Sequence, residues 1–169
     1  MRLLGFERRR SAAAVTGAHQ RLQRIDQWIE RTFKLEVPSS TENLSMIRDF
    51  VCSIGERAGL EPGEVAKLEL AVDEGCANVM EHAYARDMTK EVSVRATFDE
   101  NSIQIVVIDT GKGFDPESIE QADLESLVAA RKSGGLGMRL MKSLMDEVHY
   151  EIVPGEKNEL RMVKRLRKA

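Results

Sequence analysis

The sequence predicts an α+β sandwich, one mostly antiparallel sheet with helices on one face. Three observations lead there. Two amphipathic helical stretches, 42–59 and 65–83, stand ahead of the first long alternating segments. Those segments, 91–98 and 102–109, are parted only by Asp99-Glu100-Asn101, the short spacing of antiparallel neighbours. A further helical stretch, 136–148, then precedes a strand pair wrapped around the turn dipeptide Pro154-Gly155.

Each element has its own signal. Residues 1–33 stand apart, with Arg8-Arg9-Arg10 leading through an alanine-rich stretch to His19–Phe33. There Leu22, Ile25, Trp28, Ile29 and Phe33 recur at three- and four-residue steps, an amphipathic helix. Such a stripe packs on its own domain or serves as a docking arm for a second subunit or partner. The chain therefore reads as a helical extension, 1–32, followed by one domain, 33–169.

Lys34–Pro38 alternates and stops at proline, as a short strand does. Ser39-Ser40-Thr41-Glu42 offers an N-cap, and Leu44, Ile47, Phe50, Val51 and Ile54 carry a helix that fades near Gly59. Glu61-Pro62-Gly63-Glu64 opens the next helix, with proline in its tolerated first turn. Residues 91–98 alternate through Val92, Val94, Ala96 and Phe98. In 102–109, Ile103, Ile105 and Val107 interleave with Val106 and Ile108, so this strand is apolar on both sides near its end. Residues 115–133 form a polar, helix-prone connection, and 149–153 and 159–166 close the chain as strands.

Bulk properties narrow the function classes. The 169 residues suit one domain that folds without disulfides or structural metal. The 25 Lys+Arg against 28 Asp+Glu leave a net charge of -3, which argues against broad electrostatic binding to nucleic acid. No apolar run approaches the roughly 18 residues that span a bilayer, and the apolar run within Met1–Arg10 is too short for a signal peptide. Cys52 and Cys76 have no metal-ligand spacing and read as a reduced, buried pair. A soluble, cytoplasmic protein is expected.

Three patterns carry chemistry. On the second helix Glu74, Asn78 and His82 stack at four-residue steps, away from the stripe Leu68, Val72, Cys76 and Val79. Asparagine competes with the helix backbone for hydrogen bonds, so an interior Asn78 implies a task for its side chain. Its carbonyl oxygen suits Mg²⁺, and Glu74 suits proton abstraction from a hydroxyl. The second pattern, Asp109-Thr110-Gly111-Lys112-Gly113-Phe114, puts a carboxylate where a buried strand ends, then two glycines that let a flat ligand approach. An Asp109 carboxylate there is an acceptor for the exocyclic amine of adenine. The third, Lys132-Ser133-Gly134-Gly135-Leu136-Gly137-Met138, opens a helix on glycines whose free amides make a phosphate cradle. A solvated helix face, a plain turn and a plain helix start are the respective ordinary explanations. No Walker-type glycine-lysine motif is present.

In this order the three patterns resemble the nucleotide site of the GHKL ATPase superfamily, whose fold is the Bergerat α/β sandwich. Glu74–Tyr84 resembles its N box, Asp109–Phe114 its first glycine box and Gly134–Met138 its second. The closer resemblance is to RsbW-type anti-sigma-factor serine/threonine kinases, carried by Glu74, Asn78, His82-Ala83-Tyr84, the Gly-Gly-Leu-Gly run and Met145-Asp146-Glu147-Val148. That resemblance implies ATP and Mg²⁺ as cofactors, Glu74 as base, Asn78 as metal ligand, Asp109 as adenine reader and Gly134–Gly137 as phosphate lid. It adds His82, Gly111, Gly113, Phe114, Lys132, Leu136 and Met138 to the nucleotide's surroundings. It implies as partners a STAS-domain anti-anti-sigma protein, which would be phosphorylated, a sigma factor, which would be sequestered, and a second copy in a homodimer. The competing expectation is a non-catalytic nucleotide-binding module that holds a regulator without phosphorylating it. Residues 1–32 have no counterpart in the minimal family domain.

Overall fold

A computed structural model describes residues 31–113 and 133–167. The chain divides into two compact units, Met1–Glu30 and Arg31–Ala169, and the described residues all belong to the second. The predicted helix before Arg31 and the connection 115–132 lie outside the described residues.

The second unit runs β1 (Arg31–Pro38), a 3₁₀ turn (Thr41–Asn43), α1 (Leu44–Ala58), α2 (Pro62–Asn78) with a π-helical end (Val79–Ala83), and β2 (Glu91–Phe98). It continues with β3 (Ser102–Asp109), α3 (Ser133–Leu144), β4 (Glu147–Val153) and β5 (Lys157–Arg165). The five strands form one sheet in the order β1-β2-β3-β5-β4, every pairing antiparallel. The predicted α+β class, with an antiparallel sheet, is what the chain adopts.

One face of the sheet carries the core. Val92, Val94, Ala96, Ile103, Ile105 and Met162 point inward and are fully buried, as are Ile47, Val51 and Leu68 from the helices. Each such aliphatic side chain contributes about 1.5–3 kcal/mol by leaving water. The opposite face is polar along β5, where Glu159 lies buried beneath Lys157 and Arg161. Val106 is 1 % exposed on that second face, in keeping with a strand apolar on both sides.

Three boundaries differ from the sequence pattern, each for a tertiary reason. Phe33 belongs to β1 rather than to a helical stripe, because Arg31–Phe33 pair with Ala96–Phe98 and Phe33 stacks on Phe98 with ring centroids 6.1 Å apart. The third helix spans 133–144 instead of 136–148. Glu147 and Val148 are drawn into the sheet opposite Val163 and Met162, which ends the helix early. The second helix keeps its α-helical form only to Asn78 and finishes as a π turn. Cys76 is buried as expected, but Cys52 is only half-buried. Burial pushes the Cys52 thiol up to about 11 and the Cys76 thiol further, so both stay protonated at neutral pH.

The inward row of β5 places a lysine at its end. Lys164, 7 % exposed, reaches the Leu144 carbonyl at 2.9 Å and Glu64 Oε2 at 2.7 Å. Its ammonium thus satisfies the last turn of α3 and pins it to the start of α2. That link sets where α3 lies over the sheet.

Candidate functional site

The polar face of α2 is built by spacing. Leu68, Ala71, Val72, Gly75 and Cys76 are buried against the sheet, so Glu74 and Asn78 emerge at the helix flank, both half-buried. The Asn78 amide follows the Glu74 carboxylate one turn on and favours its charged form. Burial raises the Glu74 carboxyl above its ordinary range, opposed by the Asn78 amide. The charges of Asp73 and Glu81 push the same way as burial, and His82 pulls back. His82 itself is exposed.

The π-helical end of α2 is tied to the strand that carries Asp109. Tyr84 Oη accepts from Thr110 N at 2.9 Å and donates to the Glu91 carbonyl at 2.9 Å. The Ala83 carbonyl accepts from Lys112 N at 3.3 Å. Tyr84, 7 % exposed, is therefore a structural strap between the first two sequence patterns.

Asp109 closes β3, 7 % exposed, with two donors on a single oxygen. Its Oδ1 accepts from Gly111 N at 2.7 Å and from Asn158 Nδ2 at 2.8 Å. Asn158 also donates to the Gly111 carbonyl at 3.2 Å, while its own Oδ1 is buried without a hydrogen-bond partner. Gly113 turns the chain at φ +68°, where a Cβ would lie 2.5 Å from Ile152 Cγ2 and 3.2 Å from Asn158 Oδ1. The corner is thus a buried set of acceptors, with Gly111 packed on Ala83 and Gly113 on Ile152.

Sequence reasoning missed Asn158. A signal was there: Asn158 shares the inward row of Leu160 and Met162, a place where an amide demands partners.

Helix α3 takes the glycine cluster into its own first turn. Starting at Ser133, it leaves the amides of Ser133, Gly134 and Gly135 among those without an intrahelical acceptor. Gly137 is packed directly on the Glu74 carboxylate, and any side chain there would overlap Glu74 Oε1. Met138 and Met141 anchor the helix in the core, whereas Leu136 is 40 % exposed. The fold therefore brings Gly137 onto Glu74 beside Asn78, and gathers Asp109, Gly111 and Gly113 around Asn158. Phe114 and Lys132 lie outside the described residues.

Known proteins resemble this chain in sequence and in fold. The family model of the histidine kinase-like ATPase domain matches residues 37–164. Serine-protein kinase RsbW of Bacillus licheniformis is 35% identical over 126 residues, covering 72% of this chain and 79% of the relative. RsbW of Bacillus subtilis is 35% identical over 123 residues, covering 70% and 76%. Among solved structures, the RsbU and RsbW domains of Rv1364c from Mycobacterium tuberculosis superpose with a TM-score of 0.60 at 16% identity. That match covers 82% of this chain but 34% of the longer one. The SiaB–SiaC complex from Pseudomonas aeruginosa gives a TM-score of 0.60 at 16% identity, covering 90% of this chain and 99% of the matched chain. The two structures share the fold, and the curated relatives share the sequence across it. The chain belongs to the histidine kinase-like ATPase family, among its RsbW-type serine-protein kinases.

Proposed function

We propose that this chain is an ATP-dependent serine/threonine kinase and anti-sigma factor, which phosphorylates a STAS-type anti-anti-sigma protein and sequesters a sigma factor. The observation that carries the proposal is the pairing of Glu74 with Asn78, in a chain 35% identical to serine-protein kinases.

The acceptor corner suits the nucleotide the family binds. Asp109 spends one oxygen on two protein donors, which leaves its other oxygen for an incoming N–H. The edge of adenine presents such a donor. Gly111 and Gly113 let the backbone pass close to Ala83 and Ile152, with Phe114 next in sequence as an apolar neighbour for the base. Gly134 and Gly135 supply amides for the phosphates, with Lys132 adding charge, and Leu136, Gly137 and Met138 continue the same turn. Among the described residues no three His, Cys, Asp or Glu gather as a metal site. Asn78 would hold Mg²⁺, which would take its other ligands from phosphate oxygens and water. His82, one turn on, borders that site.

When bound, Mg·ATP supplies the phosphoryl group and much of the charge stabilisation. The chain's own residues position and deprotonate. Glu74, with its carboxyl raised by burial, accepts the proton of the incoming seryl or threonyl hydroxyl and holds that hydroxyl in place. Asn78, one turn on, favours the charged form of Glu74 that accepts the proton.

Incubating the full chain with labelled ATP and candidate STAS proteins, with and without Mg²⁺, tests this reading. Labelling of a serine or threonine that needs Mg²⁺ and Glu74 is the expected result. Nucleotide binding without label transfer to any STAS protein would point instead to a non-catalytic sequestering module.

A further inference from the structure

Among the described residues five large apolar side chains are exposed, and two of them flank Glu74. Leu70, 47 % exposed, lies one turn before Glu74 on α2. Leu136, 40 % exposed, comes from α3 and precedes Gly137, the residue packed on the Glu74 carboxylate. A lone exposed leucine is ordinary surface, but two that flank one carboxylate from different helices form a patch.

Neither leucine serves the core. The buried stripe of α2 runs through Leu68, Ala71, Val72, Gly75 and Cys76, and position 70 falls outside it. On α3 the buried row is Gly137, Met138 and Met141, and position 136 falls outside that. Leu140, one turn on from Leu136, is half-buried and continues its row. The charged neighbours of Leu70 along α2 are engaged elsewhere, Asp73 with Arg48 at 2.7 Å and Lys67 with Glu64 at 2.7 Å. What this surface offers an incoming group is therefore apolar.

The order of residues along α2 decides which group that is. Leu70, Glu74 and Asn78 follow at four-residue steps, each about 6 Å further along one flank of the helix. Asn78 marks the nucleotide end of that row. In-line phosphoryl transfer places the attacking and leaving oxygens on opposite sides of the phosphorus. With nucleotide on the Asn78 side of Glu74, the acceptor hydroxyl arrives from the Leu70 side. We propose that Leu70 and Leu136 are the docking surface for the phosphoacceptor segment of the protein substrate, and that they grip a large apolar side chain beside the serine or threonine offered to Glu74. This rests on the kinase reading above and names the feature by which the chain selects its acceptor. The contact lies away from the reacting atoms, so it acts on KM rather than on kcat.

Steady-state phosphorylation of the STAS protein that the full chain labels tests the surface. Leu70→Gln keeps side-chain length and helix propensity, and should raise the KM for that protein about tenfold with kcat and ATP affinity unchanged. Leu136→Gln should raise the same KM, whereas Leu70→Met should leave it near that of the unaltered chain. Binding without turnover supplies a second readout. Fluorescence anisotropy of the same STAS protein against the Glu74→Ala chain should weaken by the same factor when Leu70→Gln is added. On the substrate, alanine in place of the large apolar residue beside the acceptor should raise KM alike and add little to Leu70→Gln. An unchanged KM in Leu70→Gln overturns the proposal, as does a rise matched by lost ATP affinity. Full additivity of Leu70→Gln with every apolar-to-alanine change around the acceptor overturns it too. If Leu70→Gln unfolds, the substrate changes measured on the unaltered chain decide, and an unchanged KM for all of them overturns the proposal. A chain that binds ATP but labels no STAS protein defeats the kinase reading and this one with it, an outcome distinct from labelling that ignores Leu70.

Discussion

Asn158 Nδ2 donates to Asp109 Oδ1 at 2.8 Å, joining the first turns of β5 to the last residue of β3. The bond commits Oδ1 of Asp109 and leaves its other oxygen free of these donors, while the Asn158 carbonyl oxygen stays buried without a partner. Removing the amide unties both acceptors. Asn158→Ala should weaken ATP binding roughly 10- to 100-fold, the worth of a hydrogen bond to a charged group. Asp109→Asn should weaken it at least as much. Fluorescent-nucleotide titration reads both. Unchanged affinity in Asn158→Ala would remove it from the adenine corner.

Glu74 tests catalysis apart from binding. Glu74→Ala should abolish phosphoryl transfer while sparing nucleotide affinity. Burial raises this carboxyl, so a base that works deprotonated loses activity as pH falls through a value above the ordinary 4.5. The same raised carboxyl destabilises the folded chain while ionised, so Glu74→Gln should raise Tm at pH 7. Initial rates across pH, with Tm of the two proteins side by side, check both signs. A rate profile that stays flat down to the ordinary carboxylate range would rule Glu74 out as the base.

The contact of Gly137 with Glu74 predicts a coupled pair. Gly137→Ala should destabilise the chain by about 1–3 kcal/mol, since the added methyl overlaps the carboxylate. Glu74→Ala removes the obstacle, so the double variant should recover most of that loss. A double-mutant cycle on thermal unfolding measures the coupling. Additive effects would mean that α3 does not rest on Glu74 in solution.

Lys164 predicts an acid-sensitive lock. The Lys164 and Lys67 ammonium groups beside Glu64 hold its carboxyl down to about 2. A depressed carboxylate contributes stability that is complete above its unfolded value near 4.5 and is lost as pH falls toward 2. Glu64→Gln should flatten that part of the stability profile. Lys164→Met should cost about 1–3 kcal/mol at neutral pH, by freeing the Leu144 carbonyl and leaving Glu64 to Lys67. Urea unfolding of each variant across pH 2 to 7 is the measurement.

The limits of sequence reading show at particular residues. The strands 91–98 and 102–109 were legible to the residue, because alternation marks them and the turn Asp99-Glu100-Asn101 sets their register. Phe33 was misplaced because a helical step and a strand position look alike for one aromatic, and only Phe98 across the sheet decides. The third helix was drawn too long because Glu147 and Val148 suit a helix or a strand locally, and their pairing with β5 settles it.

By itself the sequence determined the α+β class, the order of the elements and the placement of Glu74, Asn78 and Asp109 on helix flank and strand end. Those follow from periodicity and from local chemistry, which act over a few residues. Only the tertiary structure decided that Asn158 holds Asp109, that Gly137 rests on Glu74 and that Lys164 pins α3. Each of those joins groups at least 20 residues apart in sequence. Contacts at that separation depend on how the sheet and helices stack, and the local pattern around each residue carries no record of its partner.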